Sequence, residues 1–143
     1  SVLPAVDGAW VKKMVKTARA ATRRWLSCKL PPYSSIEMAE PVEQAGADAM
    51  CVCNTYPAMI FNPRGQRIQG GLSGPAIRPL TMYNVYHVAA RVRIPVIASG
   101  GVRNGRDVPD YLAVGAKAVQ IGSINFVHPD AVKRILKEWQ ALS

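Results

Sequence analysis

Residues 94–107 read IPVIASGGVRNGRD, and this stretch decides the fold that the sequence predicts. Its apolar run leads directly into two adjacent glycines, Gly100 and Gly101, and arginines follow them. A strand that is apolar without polar alternation is typical of a parallel sheet covered by helices. Adjacent glycines tolerate positive φ values, and they also let another group approach the main chain closely. The stretch therefore predicts a buried parallel strand that ends at an accessible piece of backbone.

The same alternation of apolar strand and helix continues on both sides of this stretch. Asp7 is suited to cap a first helix, and Ser34 with Glu37 three residues later has the pattern of a capping box. Residues 56–73 interrupt the rhythm, because AMIF and QRIQ flank the turn-like NPRG, which indicates an inserted hairpin. We expect strands at 25–30, 47–55, 94–99 and 117–123, and helices at 8–22, 34–46, 77–92 and 107–116 and after Pro129. The sequence thus predicts one α/β domain over 1–143 with a parallel sheet.

Composition narrows the class of protein. With 143 residues, 49% of them hydrophobic, the chain can bury a real core. It has neither a bilayer-spanning run nor a signal-peptide pattern, so we expect a cytoplasmic protein without a membrane partner. The three cysteines read as small buried residues, and no spacing of ligand residues suits a metal.

The formal net charge of +9 raises the question of nucleic-acid binding. Six of the 18 basic residues lie between Lys12 and Arg24, where they recur at helical spacing opposite an apolar stripe. No aromatic residues are interleaved with these charges as a base-stacking surface requires. The pattern is typical of a solvated helix face, and we expect no nucleic-acid partner.

Ligands of parallel sheets bind at the carboxyl ends of the strands, which should converge on one rim. The strand ends supply Lys29, Asn54, Thr55, Gly100, Gly101, Gly122 and Ser123. Two glycine-containing pairs at successive strand ends suggest bare N–H groups that hold a phosphate, although each pair alone also suits a tight turn. Lys29 has two interpretations: it neutralises negative charge on a bound ring, or it is a lysine at a strand end whose stem lies along apolar surface. Asn54 and Thr55 also have two: they hydrogen-bond a polar heterocycle, or they satisfy the loop backbone.

Five motifs in order, KLPPY, NT, GGLSGPAIRP, SGGV and AVQIGSINF, lie between Lys29 and Phe126. Together they resemble the carboxyl-terminal half of the dihydroorotate dehydrogenase family. The resemblance implies the second half of a (β/α)8 TIM barrel that binds FMN at its carboxyl rim. A complete barrel needs about 250 residues, so this chain supplies about half of one.

The resemblance also implies residue roles. Lys29 would lie beside the flavin ring and stabilise its reduced anion, and Asn54 and Thr55 would hold the pyrimidine, dihydroorotate or orotate. The remaining implied cofactor contacts are Cys53, through its backbone, Gly74 near the ring, and the phosphate cradle of Gly100, Gly101, Gly122 and Ser123.

The family's catalytic base and further substrate asparagines precede the matched region, so we expect the isolated chain to be inactive. Such a chain should associate with a second copy or with a complementary half-barrel, because four strands leave two edges open. KLPPY is similar to the fumarate-using branch and GGLSGPAIRP to the branch with an NAD-linked iron–sulfur subunit, so the electron acceptor stays open. Two alternatives also remain: a flavin domain of dihydropyrimidine dehydrogenase type, and a non-catalytic half-barrel that binds phosphate or acts as a scaffold.

Overall fold

The computed structural model describes residues 7–142 and contains an open parallel sheet with helices on one face. The helices are α1 (Gly8–Ala21), α2 (Ser35–Gln44), α3 (Arg78–Ala89), α4 (Asp107–Ala113) and α5 (Ala131–Gln140). The strands are β1 (Ser27–Leu30), β2 (Ala49–Val52), β3 (Tyr56–Phe61), β4 (Arg67–Leu72), β5 (Val96–Ser99) and β6 (Ala118–Gln120). Short 3₁₀ turns cover Pro75–Ile77 and Ser123–Phe126.

The main sheet has the order β1-β2-β5-β6, and all of its neighbours are parallel. The helix α2 packs against β1 and β2, α3 against β2 and β5, and α4 against β6. Met50, Val52, Val96 and Ala98 are buried in a hydrophobic cluster with residues of these helices. This arrangement of βα units confirms the α/β parallel sheet that the apolar strands predicted.

The opposite face of the sheet is covered only in its middle. Along β1, Ser27 and Lys29 are exposed whereas Leu30 is buried, and β6 is exposed at both Ala118 and Gln120. The helices described here cover one face of the sheet, which agrees with the half-barrel that the resemblance implies. Both edge strands also lack an outer neighbour within residues 7–142.

The first helix begins as predicted, because the Asp7 carboxylate accepts a hydrogen bond from the main-chain N–H of Ala9 at 3.1 Å. Its apolar stripe is buried at Val11 and Val15. The basic face is not simply solvated, since Arg19 is half-buried and lies 3.0 Å from an Asp48 carboxylate oxygen. Part of the basic face therefore anchors α1 to the loop that precedes β2.

The predicted capping box at Ser34 is wrong. The Ser34 side chain makes no capping hydrogen bond, and the backbone there has φ −126° and ψ 16°. The buried Ser35 hydroxyl instead donates to the Pro31 carbonyl oxygen at 2.5 Å. The Pro-rich turn before α2 fixes the start of the helix, and the neighbouring serine takes the hydrogen bond.

The predicted hairpin is confirmed as the antiparallel pair β3 and β4, in which Tyr56 pairs with Leu72 and Phe61 with Arg67. It projects from the sheet, and Tyr56 is its one buried strand residue. All three cysteines are free thiols, as the odd number suggested. No helix within residues 7–142 is long and apolar enough to cross a membrane.

Candidate functional site

A cleft of about 450 Å³ lies at the carboxyl ends of the four parallel strands. Eight of the nine residues that the sequence singled out line it: Lys29, Cys53, Thr55, Gly74, Gly100, Gly101, Gly122 and Ser123. The parallel register aligns β1 with β2, β2 with β5 and β5 with β6, so all four strands end at one rim. The volume lies within the range of about 300–1,000 Å³ that small-molecule sites occupy.

The double-glycine turn (residues 100–101) packs against the start of α3. Gly101 has φ +71°, and a Cβ atom there would lie 2.6 Å from the Arg78 Cβ and 2.8 Å from the Arg78 main chain. Gly100 has φ +155°, and its Cβ would lie 2.6 Å from the Thr81 hydroxyl oxygen. Helix packing alone thus requires both glycines, whereas the sequence suggested that they clear space for a phosphate. Both residues still line the cleft.

The glycine–serine turn (residues 122–123) has the opposite surroundings. A Cβ atom at Gly122 would meet nothing within 4 Å, and Gly122 is exposed at the cleft. The Asn125 side-chain amide donates to the carbonyl oxygens of Ile121, at 3.2 Å, and Gly122, at 2.9 Å, which holds this turn in place. A side chain at residue 122 would project into open space at the cleft.

Main-chain donors at this rim are free to bind a ligand. Within residues 7–142, the N–H groups of Gly101, Val102, Gly122 and Ser123 donate no hydrogen bond to the protein. Gly101 and Val102 are buried, where an unpaired N–H is costly unless water or a ligand satisfies it. Several convergent N–H groups at a turn form an anion-binding concavity.

Lys29 is exposed on the face of the sheet that the helices leave open, and it lines the cleft. It is paired in register with Cys51, whose thiol lies 3.3 Å from the Gln120 side-chain oxygen. Burial raises the pKa of the Cys51 thiol, and the positive charge of Lys29 partly opposes this shift. Lys29 therefore lies beside a thiol that burial keeps neutral.

Cys53 is buried beneath the cleft, with its Sγ 3.8 Å from the Tyr56 hydroxyl. Its main-chain N–H donates to the Ser99 carbonyl oxygen at 3.1 Å, so this N–H is already used within the fold. Burial also raises the pKa of the Tyr56 hydroxyl. Any backbone contact of Cys53 with a ligand would therefore use another atom.

Asn54 does not line the cleft that contains the other eight residues. It borders a neighbouring cavity with Trp10, Met14 and Leu30, and its side-chain oxygen accepts from the Thr55 N–H at 2.9 Å. In this structure Asn54 satisfies the loop backbone, as one of its two sequence interpretations held. Thr55 does reach the cleft and packs against the hairpin at Gly71.

Sequence reasoning missed several residues that also line the cleft: Ser73, Ile77, Ser99, Val102, Gln120, Asn125 and Phe126. Ser99 and Gln120 are the last residues of their strands, so strand alternation could have placed both on the open face. Phe126 is 93% exposed and had no signal in a single sequence. No group of three metal-ligating side chains lies together within residues 7–142.

Comparisons with known proteins agree with this geometry. The model of the dihydroorotate dehydrogenase family matches residues 5–142. The Trichlorobacter lovleyi protein named dihydroorotate dehydrogenase B (NAD(+)), catalytic subunit, is 39% identical, over 94% of this chain and 48% of the relative. A Solibacter usitatus relative, provisionally named dihydroorotate dehydrogenase A (fumarate), is 40% identical, over 92% of this chain and 46% of the relative.

Among solved structures, the crystal structure of DHODH in complex with ferulenol from Eimeria tenella matches with a TM-score of 0.78. The match covers 95% of this chain and 44% of that chain at 20% identity, so it shows a shared fold. The chain spans about half the length of the curated relatives it matches. Its four-stranded sheet corresponds to part of a larger barrel, and by sequence and fold the chain belongs to the dihydroorotate dehydrogenase family.

Proposed function

We propose that this chain is the FMN-binding half of a dihydroorotate dehydrogenase, an oxidoreductase that converts dihydroorotate to orotate in pyrimidine biosynthesis. One observation carries the proposal: the double-glycine turn and the glycine–serine turn border one cleft with their main-chain N–H groups free. The family match supports the reaction class.

The residues of the cleft fit FMN. The unpaired N–H groups of Gly101, Gly122 and Ser123 suit a phosphate dianion, and the open space at Gly122 suits a group that lies against the main chain. Gly74, whose φ is +79°, reaches the same cleft after the hairpin. Lys29 supplies a cation at the opposite side of the site, where the charged ring of a reduced flavin would need one.

Bound FMN supplies the acceptor for the hydride that leaves the substrate. Lys29 stabilises negative charge at the site, and Thr55 and Asn54 hold the pyrimidine, which requires Asn54 to give up its hydrogen bond to the Thr55 N–H. Gln120 and Ser99 line the same cleft. The proton of the substrate is removed by a base from outside this chain, so the chain alone should not turn over dihydroorotate.

The partner that completes the site is a complementary half-barrel formed by the preceding half of the family's chain. The curated relatives are about twice as long as the matched region, and both β1 and β6 present unpaired parallel edges. Apolar side chains are exposed beside each edge: Trp10 and Met14 near β1, and Val132 and Leu136 near β6. Closing the barrel buries both surfaces and pairs both edges.

A further partner is suggested by the relatives' names. Several are catalytic subunits of NAD(+)-type enzymes, a name that implies a separate subunit. We include in the proposal an NAD-linked iron–sulfur subunit that accepts electrons from the completed barrel. Co-purification of the closed barrel with such a subunit, and NAD-dependent turnover, would test this part.

Titration of the chain with FMN and with riboflavin, which lacks the phosphate, tests the cofactor site. Flavin fluorescence should report FMN binding at least about tenfold tighter than riboflavin binding, because the phosphate contacts are charge-assisted. Equal affinities, or no uptake of either flavin, would contradict the proposal and favour a scaffold. Gly70→Ala, in the hairpin and outside the cleft, provides a control that should leave both affinities unchanged, because its Cβ would meet nothing within 4 Å.

Mixing the chain with the amino-terminal half of the Trichlorobacter lovleyi relative tests the partner. The two halves should form a one-to-one complex that reduces its flavin on addition of dihydroorotate, whereas the chain alone should not. A stable dimer of this chain that excludes the added half would identify a second copy as the partner instead. Turnover by the chain alone would show that the base lies within it.

A further inference from the structure

We propose that Tyr111 is a positioning residue for phosphate binding, because its hydroxyl aims the N–H of Gly101 at the cleft. This inference rests on the proposed FMN site. Tyr111 lies on α4, behind the double-glycine turn, and its residue is fully buried. It does not line the cleft, so its effect on a ligand must pass through the turn.

The contact that carries the inference is short and specific. The Tyr111 hydroxyl donates to the Gly100 carbonyl oxygen at 2.5 Å, and the Arg78 carbonyl oxygen lies 3.5 Å away. Burial raises the pKa of the Tyr111 hydroxyl, so the group keeps its proton and remains a donor at neutral pH. The hydrogen bond is therefore present over the whole physiological pH range.

Peptide geometry converts this contact into control of a ligand donor. The carbonyl of Gly100 and the N–H of Gly101 belong to one planar trans peptide, so they point in opposite directions. Holding the carbonyl toward the buried Tyr111 turns the Gly101 N–H away from the core. Gly101 lines the cleft, and its N–H has no partner within residues 7–142.

The turn needs such a restraint because two adjacent glycines have unusual backbone freedom. The rest of the network fixes the helices on either side. Arg78 on α3 lies 3.0 Å from an Asp107 carboxylate oxygen and also pairs with Asp110, which joins α3 to α4. The other Asp107 oxygen accepts from the N–H groups of Arg103, at 2.7 Å, and Asn104, at 3.0 Å. Tyr111 is the member of this network that reaches the glycine carbonyl.

Tyr111→Phe removes only the hydroxyl and keeps the ring that fills the core. We expect the dissociation constant for FMN to rise about tenfold and that for riboflavin to change less than about twofold, since only FMN carries the phosphate. A general loss of structure would weaken both flavins together. The ratio of the two constants therefore separates positioning from stability.

Tyr56→Phe is the matched control. It also removes a buried hydroxyl, which accepts hydrogen bonds from Asn84 at 3.0 Å and from the Cys53 thiol at 3.8 Å, but within residues 7–142 this hydroxyl makes no hydrogen bond to the double-glycine turn. The ratio of riboflavin to FMN dissociation constants should stay at the parent value in this variant. An unchanged ratio in Tyr111→Phe, or a proportional loss for both flavins, would overturn the inference. A parent chain without preference for FMN would instead overturn the proposed function.

Discussion

The double-glycine turn after β5 and the glycine–serine turn after β6 occupy neighbouring positions at one rim, but their surroundings differ. Any side chain at Gly101 would run into the first residue of α3, whereas a side chain at Gly122 would meet nothing within 4 Å. Gly101 is buried and its turn is braced by Tyr111, whereas Gly122 is exposed and its turn is held by Asn125. The two glycine-containing turns look alike in the sequence, but their glycines are needed for different physical reasons.

The comparison separates two contributions to one binding site. The double-glycine turn lets α3 pack closely against the sheet, so its glycines are required by the fold. The free N–H of Gly101 is a consequence of this packing. The glycine–serine turn leaves space at the cleft, so in the proposed site its glycine would serve the ligand directly. Substitutions in the first turn should act mainly on stability, and substitutions in the second should act mainly on binding.

Gly101→Ala should have the largest effect. The variant must place a Cβ at φ +71° and within 2.8 Å of the Arg78 main chain, so we expect the free energy of unfolding to fall by about 3 kcal/mol. Urea unfolding followed by circular dichroism measures this change. Gly70→Ala is the control, because its Cβ would meet nothing within 4 Å. Equal stability in the two variants would show that the packing against α3 is not as tight as described.

Gly122→Val should separate binding from stability. The valine side chain would extend into the cleft, so we expect FMN affinity to fall at least about tenfold while the free energy of unfolding changes by less than about 1 kcal/mol. Flavin titration and urea unfolding of the same preparation measure both quantities. Undiminished FMN affinity would remove the glycine–serine turn from the binding site.

Alkaline pH should destabilise the buried side of the site. Burial raises the pKa of the Tyr111 and Tyr56 hydroxyls, so at high pH the unfolded chain loses these protons first. The stabilisation they provide is complete below about pH 10, the ordinary tyrosine pKa, and it is lost as the pH rises above that value. Urea unfolding at pH 9 and pH 11, about one unit either side of this pKa, should show the loss. Tyr111→Phe should lose less stability over the same interval, and an equal loss in both proteins would assign the effect to other groups.

Glu138→Gln should have the smallest effect. The Glu138 carboxylate accepts from the Gly105 N–H at 2.7 Å and pairs with Arg134, and these contacts lower the pKa of Glu138. The contact with Gly105 joins α5 to the loop that follows the double-glycine turn, whereas the pair with Arg134 lies within α5. The stabilisation is therefore present above the ordinary pKa of 4.5 and is lost as the pH falls through the lowered value. Thermal unfolding should show a slightly shallower acid dependence in the variant, and an identical acid profile would contradict this role.

The topology could be predicted because it depends on patterns that are local in sequence. Apolar runs such as 94–99 and the hairpin signal at NPRG identify elements, and the parallel arrangement follows from them. The convergence of Lys29 and Gly122 at one rim follows from the strand directions. These parts of the site could therefore be predicted without knowledge of side-chain packing.

The features of the fold and the site that the sequence did not predict depend mainly on contacts between residues that are distant in the chain. The sequence could not show that Arg78 packs against Gly101, or that Ser35 and not Ser34 bonds to the Pro31 carbonyl. The sequence left two interpretations of Asn54 open, and only the structure shows that its side-chain oxygen accepts a hydrogen bond from the Thr55 N–H. The sequence did not indicate the positioning role of Tyr111, because a tyrosine within a predicted helix is indistinguishable from an ordinary core residue.

The phosphate site at the carboxyl rim is tested most directly by an NMR titration of the ¹⁵N-labelled chain with FMN. If the cleft at the carboxyl rim binds the phosphate, the largest changes in amide chemical shift will occur at Gly101, Gly122 and Ser123, and riboflavin will not reproduce them. If the largest changes instead occurred on the hairpin or on α5, and the chemical shifts of these three amides did not change, the cleft would not be the site that binds the phosphate.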